Sequence, residues 1–288
     1  MIPSIPQSRI SKIAYASYVG LFFIYLILPL SVAATFAFND SMFPSLPWEG
    51  FTLDWFFNDT EPTLGLFHDR TLTKGIGISL FVALCTTLIS VSVGTTNAFL
   101  FERYDFPLKG LCYVLMILPL VIPGVILGIS ILVFSSTIAN GVEDKLDYDL
   151  DFLRPGLTLV VLGQFSFITT ITTLVISARL RKFDLSLEEA ALNLGATKWA
   201  AVRTITLPYL QPAIIGAAVV SFLMSFENFN TTLMLVGSDA PLTITMFDRL
   251  KEGSTPVLNA VSLMLMIGSA MLALVMILVQ RDKGVKDG

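Results

Sequence analysis

Residues 157–178 read LTLVVLGQFSFITTITTLVISA, twenty-two positions without a charged side chain. A helix needs about 20 such residues to cross a hydrocarbon core roughly 30 Å thick. Similar apolar runs occupy 13–38, 75–99 and 108–134 on the amino-terminal side, and 212–236 and 257–280 on the carboxyl-terminal side. The 288 residues are 54% hydrophobic and only 14% charged, with a mean hydropathy of +0.77. A soluble domain carries about a quarter charged residues. The predicted fold class is therefore all-α: a polytopic membrane protein with six transmembrane helices. The lipid bilayer is its expected surroundings, and no nucleic-acid partner is expected.

Lysine and arginine accumulate on the cytoplasmic side of a membrane. With the amino terminus inside, the inner segments hold twelve of them, from Arg9 and Lys12 to Lys286. The outer segments hold six: Arg70, Lys74, Lys145, Arg154, Arg249 and Lys251. Acidic residues run the other way, leaving the outer segments at −8 and the inner ones at +5. Both termini are thus predicted to be cytoplasmic, as is the polar stretch between the fourth and fifth spans. The first span follows Arg9 and Lys12 as a signal peptide would, and Ser31-Val32-Ala33 supplies small residues. Its apolar run far exceeds a signal peptide's 7–15 residues, so a retained helix is expected.

The third span contains Pro119, Pro123, Gly124 and Gly128. Each proline removes a backbone donor and clashes with the preceding turn, so this helix is expected to kink. Such a break can line a cavity or only improve packing. The longest outer segment, 39–74, places Trp48, Trp55, Phe56 and Phe57 among prolines and acids. Those aromatics suit the headgroup level of a membrane or a docking surface. Cys85 and Cys112 fall in or beside apolar runs and read as small buried hydrophobes. His68 is the only histidine, no metal-ligand spacing appears, and no phosphate-binding loop of the Gly-x-x-x-x-Gly-Lys type is present. The chain is expected to bind no cofactor and no metal, to have no catalytic residues and to hydrolyse nothing itself.

The polar stretch between the fourth and fifth spans contains Glu189-Ala190-Ala191, then Gly195, Ile205, Leu207 and Pro208. Ser186 with Glu189 three residues on forms a capping-box pattern for a helix over 187–194. Gly195 is placed to end it in a left-handed turn. Thr197 can cap a second helix from Lys198 to about Thr206, which Pro208 would close. Ala190 and Ala191 offer a low surface for another protein. Trp199, Val202 and Ile205, at helical spacing, are expected to pack back on the bundle. An ordinary interfacial hairpin would use similar residues.

The spacing of those residues, between spans four and five of six, resembles the EAA loop of type I ATP-binding-cassette importer permeases. The resemblance covers Thr71 to the end of the chain. It implies a permease domain over 71–280, with the loop at about 181–211, preceded by an added helix and outer loop over 1–70 and followed by a tail over 281–288. It implies that Glu189, Ala190, Ala191, Gly195, Ile205, Leu207 and Pro208 form an element coupled to an ATPase dimer, where ATP and magnesium bind. Its other implied partners are a second permease subunit, forming a heterodimer, and an extracytoplasmic solute-binding protein. The implied location is the bacterial inner membrane. Shorter stretches resemble the second permease subunit of spermidine/putrescine importers: Phe38-Asn39-Asp40-Ser41, Arg103-Tyr104-Asp105-Phe106, Pro241-Leu242-Thr243-Ile244 and Ser254-Thr255-Pro256-Val257.

That subfamily usually carries two aspartates in span five, where this chain has Glu227 and Asn228. An ionisable group within a span is costly and usually faces a cavity or a partner. Phe226, Glu227, Asn228 and Phe229 are therefore the candidate pathway for a polyamine or related cationic amine, with cation–π help from the two rings. Glu227 could equally hold helices together or keep a gate shut. The remaining alternatives are the same importer class with another solute, or a stand-alone secondary transporter.

Overall fold

The computed structural model describes residues 9–44, 46–61, 63–253 and 255–284. Lys286 and residues 285–288 of the expected tail lie outside this set, as do residues 1–8 and Ser254 of the last resembling stretch. Chain-internal contacts divide the molecule into two compact units, 1–70 with 249–268, and 71–248 with 269–288.

The described residues form helices and connecting loops with a single isolated β-bridge, Asn39 to Phe51. In chain order the helices are α1 (Arg9–Phe36), α2 (Asp54–Phe57), α3 (Arg70–Arg103), α4 (Lys109–Val121), α5 (Gly124–Leu146) and α6 (Leu157–Leu180). They continue with α7 (Ser186–Asn193), α8 (Lys198–Ala201), α9 (Leu207–Phe226), α10 (Thr232–Leu235), α11 (Leu242–Glu252) and α12 (Val257–Gly284). Six helical stretches are long and apolar enough to cross a membrane. The six-span reading stands, with two spans redrawn.

The third span does not kink. It breaks. Proline disfavours the helical region for the residue before it. Ile122 is accordingly extended (ψ 131°), Pro123 follows at ψ 132°, and α5 starts afresh at Gly124. The crossing helix is α5, which runs on to Leu146, whereas α4 is a shorter apolar piece. Pro119 remains inside α4, where it removes one backbone donor without ending the helix.

In the unit formed by 71–248 and 269–288, α6 is the central element. It packs on α9, α4, α5 and α10. Ala98, Ile176, Leu180, Leu210 and Ala217 make one core cluster, and Val82, Leu159, Val160 and Leu235 another. Lipid tails are as apolar as leucine, so membrane helices hold together by close packing and interhelical hydrogen bonds. Both are present. A Cβ on Gly94 would stand 2.8 Å from Thr172, so glycine permits the α3–α6 approach. Thr172 Oγ1 lies 3.0 Å from Ser221 Oγ, and Thr170 donates to the Met116 carbonyl at 2.5 Å. Cys112 is exposed on α4, not buried as expected, while Cys85 is half-buried.

In the unit formed by 1–70 and 249–268, α1 has no buried residue. The outer segment that follows it is folded about aromatic rings. Trp55 is buried and its Nε1 donates to the Asn39 carbonyl at 2.7 Å. Phe38 stacks on Phe51 with centroids 5.3 Å apart and tilts against Phe56 at 5.4 Å. Buried Asp69 pairs with Arg249 at 2.5 Å. Trp55 therefore serves internal packing rather than the headgroup level, while Trp48 and Phe57 stay exposed.

Candidate functional site

The polar loop between α6 and α9 is organised by its first turn. Ser186 does not cap α7. The Ser186 amide instead donates to Asp184 Oδ1 at 3.0 Å, two residues back, an Asx arrangement suited to a helix start. That donated bond holds the Asp184 carboxyl below the usual range. At the other end Gly195 has φ +91°, and Ala196 N donates to the Ala191 carbonyl at 3.0 Å. This is the left-handed glycine stop expected from the spacing. Thr197 caps α8, its Oγ1 accepting from Ala200 N at 3.2 Å.

Pro208 does not close the second helix. Residues Val202–Thr206 form a π-helical turn, with Leu207 N donating to the Val202 carbonyl five residues back. A proline ring in regular α-helix clashes with the carbonyl four residues before it, and one wide turn removes that conflict. Helix therefore runs on from Lys198 to Phe226 as the fifth span. Ile205 packs against the cluster containing Leu180 and Leu210. Trp199 departs from expectation: it is 69% exposed.

Around α7, Leu187, Glu189 and Ala190 are exposed and Ala191 is half-buried. Leu194 beyond the helix end is 90% exposed. The carboxylate that turns inward is Glu188, which sequence reasoning passed over. Arg103 Nη2 donates to Glu188 Oε1 at 3.1 Å, and the hydroxyl of buried Thr206 donates to the same oxygen. Arg103 also lies over the Phe183 ring, 5.4 Å from its centroid. Nearby, Arg181 at the end of α6 pairs with Glu102 at 2.9 Å, which raises the guanidinium's affinity for its proton. A cavity of about 840 Å³ opens beside the loop, lined by Phe99, Arg103, Glu188, Trp199 and Leu207 among others.

The second candidate region lies where α9 ends. Glu227 is the residue that closes α9, and Asn228–Thr231 separate it from the short α10. The fifth span is thus complete before Glu227, so this group sits at a helix end rather than within a helix. Asn228 explains the stop. Its Oδ1 accepts from Thr232 N at 3.2 Å and from Thr232 Oγ1 at 2.9 Å, local bonds that compete with helix continuation. Gln164 of α6, almost fully buried, spans the break. Its Nε2 donates to Thr232 Oγ1 at 2.8 Å and its Oε1 accepts from the Ser225 hydroxyl. The break in span three adjoins it: Thr231 Oγ1 donates to the Gly124 carbonyl at 3.3 Å. A Cβ on Gly124 would stand 3.0 Å from Asn230 Cβ.

Of the four candidate pathway residues, Glu227 is exposed, with neither an ion pair nor a side-chain hydrogen bond among the described residues. Phe226 stacks on Phe222 at 5.9 Å, and Phe229 meets Phe247 edge-on at 4.8 Å. The Asn228 side-chain oxygen is taken up by the amide and hydroxyl of Thr232. A lone side-chain amide in an uncharged membrane-length run was the signal that could have marked Gln164.

Among the described residues, six spans with a glycine-stopped loop leading into the fifth fit the fold of type I ATP-binding-cassette importer permeases. A solved importer of the acidic polysaccharide alginate superposes with a TM-score of 0.69 at 17% identity, covering 93% of this chain and 94% of that one. Residues 87–281 match the family described as binding-protein-dependent transport system inner membrane component, and the chain belongs to that family. It is similar to the putrescine transport system permease protein PotI of Escherichia coli (strain K12), 29% identical over 246 residues, 85% of this chain and 82% of the relative. The spermidine/putrescine transport system permease protein PotC of the same strain is 24% identical over 275 residues, 95% of this chain and 96% of that one. The chain is a multi-pass translocation subunit of a binding-protein-dependent importer. ATP hydrolysis belongs to separate partner chains.

Proposed function

We propose that this subunit carries a polyamine or related small cationic amine inward, and that Glu227 meets the cation on its passage. The observation that supports this most directly is an exposed carboxylate at the break in span five, unpaired among the described residues and flanked in sequence by Phe226 and Phe229. A desolvated cation gains from both a carboxylate and aromatic faces. The names of the two relatives point the same way. A different solute in the same importer class is the second reading, favoured by Asn228, which stands where a second acid would be and bonds within the chain.

In this reading the loop around Glu189, Ala190, Ala191 and Gly195 docks on an ATPase dimer in the cytoplasm, with ATP and magnesium bound there and not on this chain. The loop's exposed apolar residues, Leu187, Leu194 and Trp199, support a partner surface. The charge bias supports cytoplasmic placement of both termini, and the inner-membrane family supports the bacterial inner membrane as the location. A second, non-identical permease and an extracytoplasmic binding protein complete the assembly.

The test is competitive uptake. Cells or vesicles with the assembled importer should accumulate labelled putrescine or spermidine, and Glu227→Gln should weaken uptake by about tenfold, the scale of one hydrogen bond to a charge. Equal uptake by both forms would remove Glu227 from the pathway. A co-purified ATPase of the Walker type should accompany the chain.

A further inference from the structure

We propose that Glu188 is a positioning residue, the strut through which movement of α7 reaches both the second and the fifth spans. This rests on the docking reading of the loop and adds a mechanical route that the loop motif itself does not contain.

The observations concern how α7 is held. Its outward face is exposed, and its carboxyl end leads into Gly195, where an added Cβ would touch nothing within 4 Å. On the inward face a single oxygen, Glu188 Oε1, accepts from two elements at once. One donor is Arg103 in the last turn of α3. The other is Thr206, fully buried at the end of the π-helical turn that becomes α9. Arg103 is itself fixed by the ring of Phe183, a member of the core cluster with Leu180 and Leu210.

Both members of the ion pair keep under a fifth of their side-chain surface exposed. Water screens such a pair far less than a surface one, and removing one partner strands the other. A displacement of α7 therefore carries two helix ends with it through one short polar link. Glu189 is exposed and makes no such connection among the described residues.

The experiment uses the complete importer in proteoliposomes, with its partner permease, ATPase and binding protein. Asn230→Cys, made with Cys85→Ser and Cys112→Ser, reports on the break in span five through its rate of reaction with an impermeant maleimide. Trapping with Mg-ATP and vanadate should change that rate by about tenfold when Glu188 is present, the scale of a two-state population shift. Glu188→Gln keeps an acceptor without its charge and should retain only part of the response. Glu188→Ala should lose it while ATP hydrolysis continues within about twofold of the parent rate. Arg103→Glu combined with Glu188→Arg, which reverses the pair, should restore it.

A full response in Glu188→Ala overturns the strut. So does a loss of hydrolysis and response by the same factor, which would mean that Glu188 only maintains the fold. Gly195→Asp separates the two readings: if it still binds the ATPase and responds, docking by this loop is wrong however Glu188 behaves. A parent complex with no response overturns both.

Discussion

The loop over 181–211 and the break over 226–232 solve opposite problems with similar means. Each is a helix interruption held by an Asp or Asn side chain bonded to a nearby backbone amide: Asp184 to Ser186 and Asn228 to Thr232. The loop then turns its apolar residues outward, with Leu194 and Trp199 exposed. The break buries Ser225 and Thr232, which Gln164 satisfies, and leaves Asn230 exposed. A surface meant for a partner can leave apolar groups uncovered. A polar stretch at membrane depth must close its own hydrogen bonds, because unpaired groups there cost several kcal/mol. Glu227, left unpaired and exposed, departs from that rule.

The sharpest way to break this contrast is at Gly195. Its positive φ disfavours residues with a Cβ, by about 1–2 kcal/mol, yet the space around it is open. Gly195→Ala should then keep ATPase binding to within about tenfold, whereas Gly195→Asp should abolish co-purification by adding charge to the partner face. If alanine is as damaging as aspartate, backbone strain rather than docking governs the position.

Gln164→Leu tests the inward region. It removes two buried bonds at the break and should lower stability by about 2 kcal/mol, read as an earlier unfolding midpoint in detergent. An unchanged midpoint would show that the amide is not what holds the break. Glu227→Gln should leave that same midpoint in place, since Glu227 has no side-chain partner among the described residues, while reducing uptake of a cationic solute. A drop in stability would return Glu227 to a structural role.

The smallest effect is one of pH. Asp184's carboxyl is held low by the bond it accepts from Ser186. A depressed carboxyl stabilises the fold fully above its ordinary value of about 3.9, and that contribution fades as pH falls below it. Amide exchange at Ser186, corrected for its intrinsic pH dependence, should therefore be steady from neutral to mildly acidic conditions and accelerate below about pH 4. Asp184→Asn keeps an acceptor oxygen and should remove the dependence.

The six apolar runs, the left-handed stop at Gly195 and the cap at Thr197 were legible because each depends on a few neighbouring residues. The full break at Ile122-Pro123 was half legible: proline marked the place, but whether a helix bends or parts depends on what receives the freed ends. Here the break is flanked by two bonds from other elements, Thr170 Oγ1 to the Met116 carbonyl and Thr231 Oγ1 to the Gly124 carbonyl. Pro208 misled for a similar reason, since a π-helical turn absorbs it. Glu188 and Glu189 are adjacent and chemically identical, and only the fold decides which one faces Arg103. Gln164 and Asn228 owe their roles to partners on other elements, which no local pattern announces.

The helix that Pro208 fails to end has a mechanical consequence. From Lys198 to Phe226 it spans 29 residues, with a π-helical turn at Val202–Thr206 and Pro212 inside it, roughly 40 Å of rod at 1.5 Å per residue. One end stands beside Thr197 and the glycine stop, and the other delivers Glu227. Pivoted at one end, a rod of that length converts a tilt of about ten degrees into about 7 Å of travel at the other. The proline expected to close a helix lies inside that rod, just past its π-helical turn.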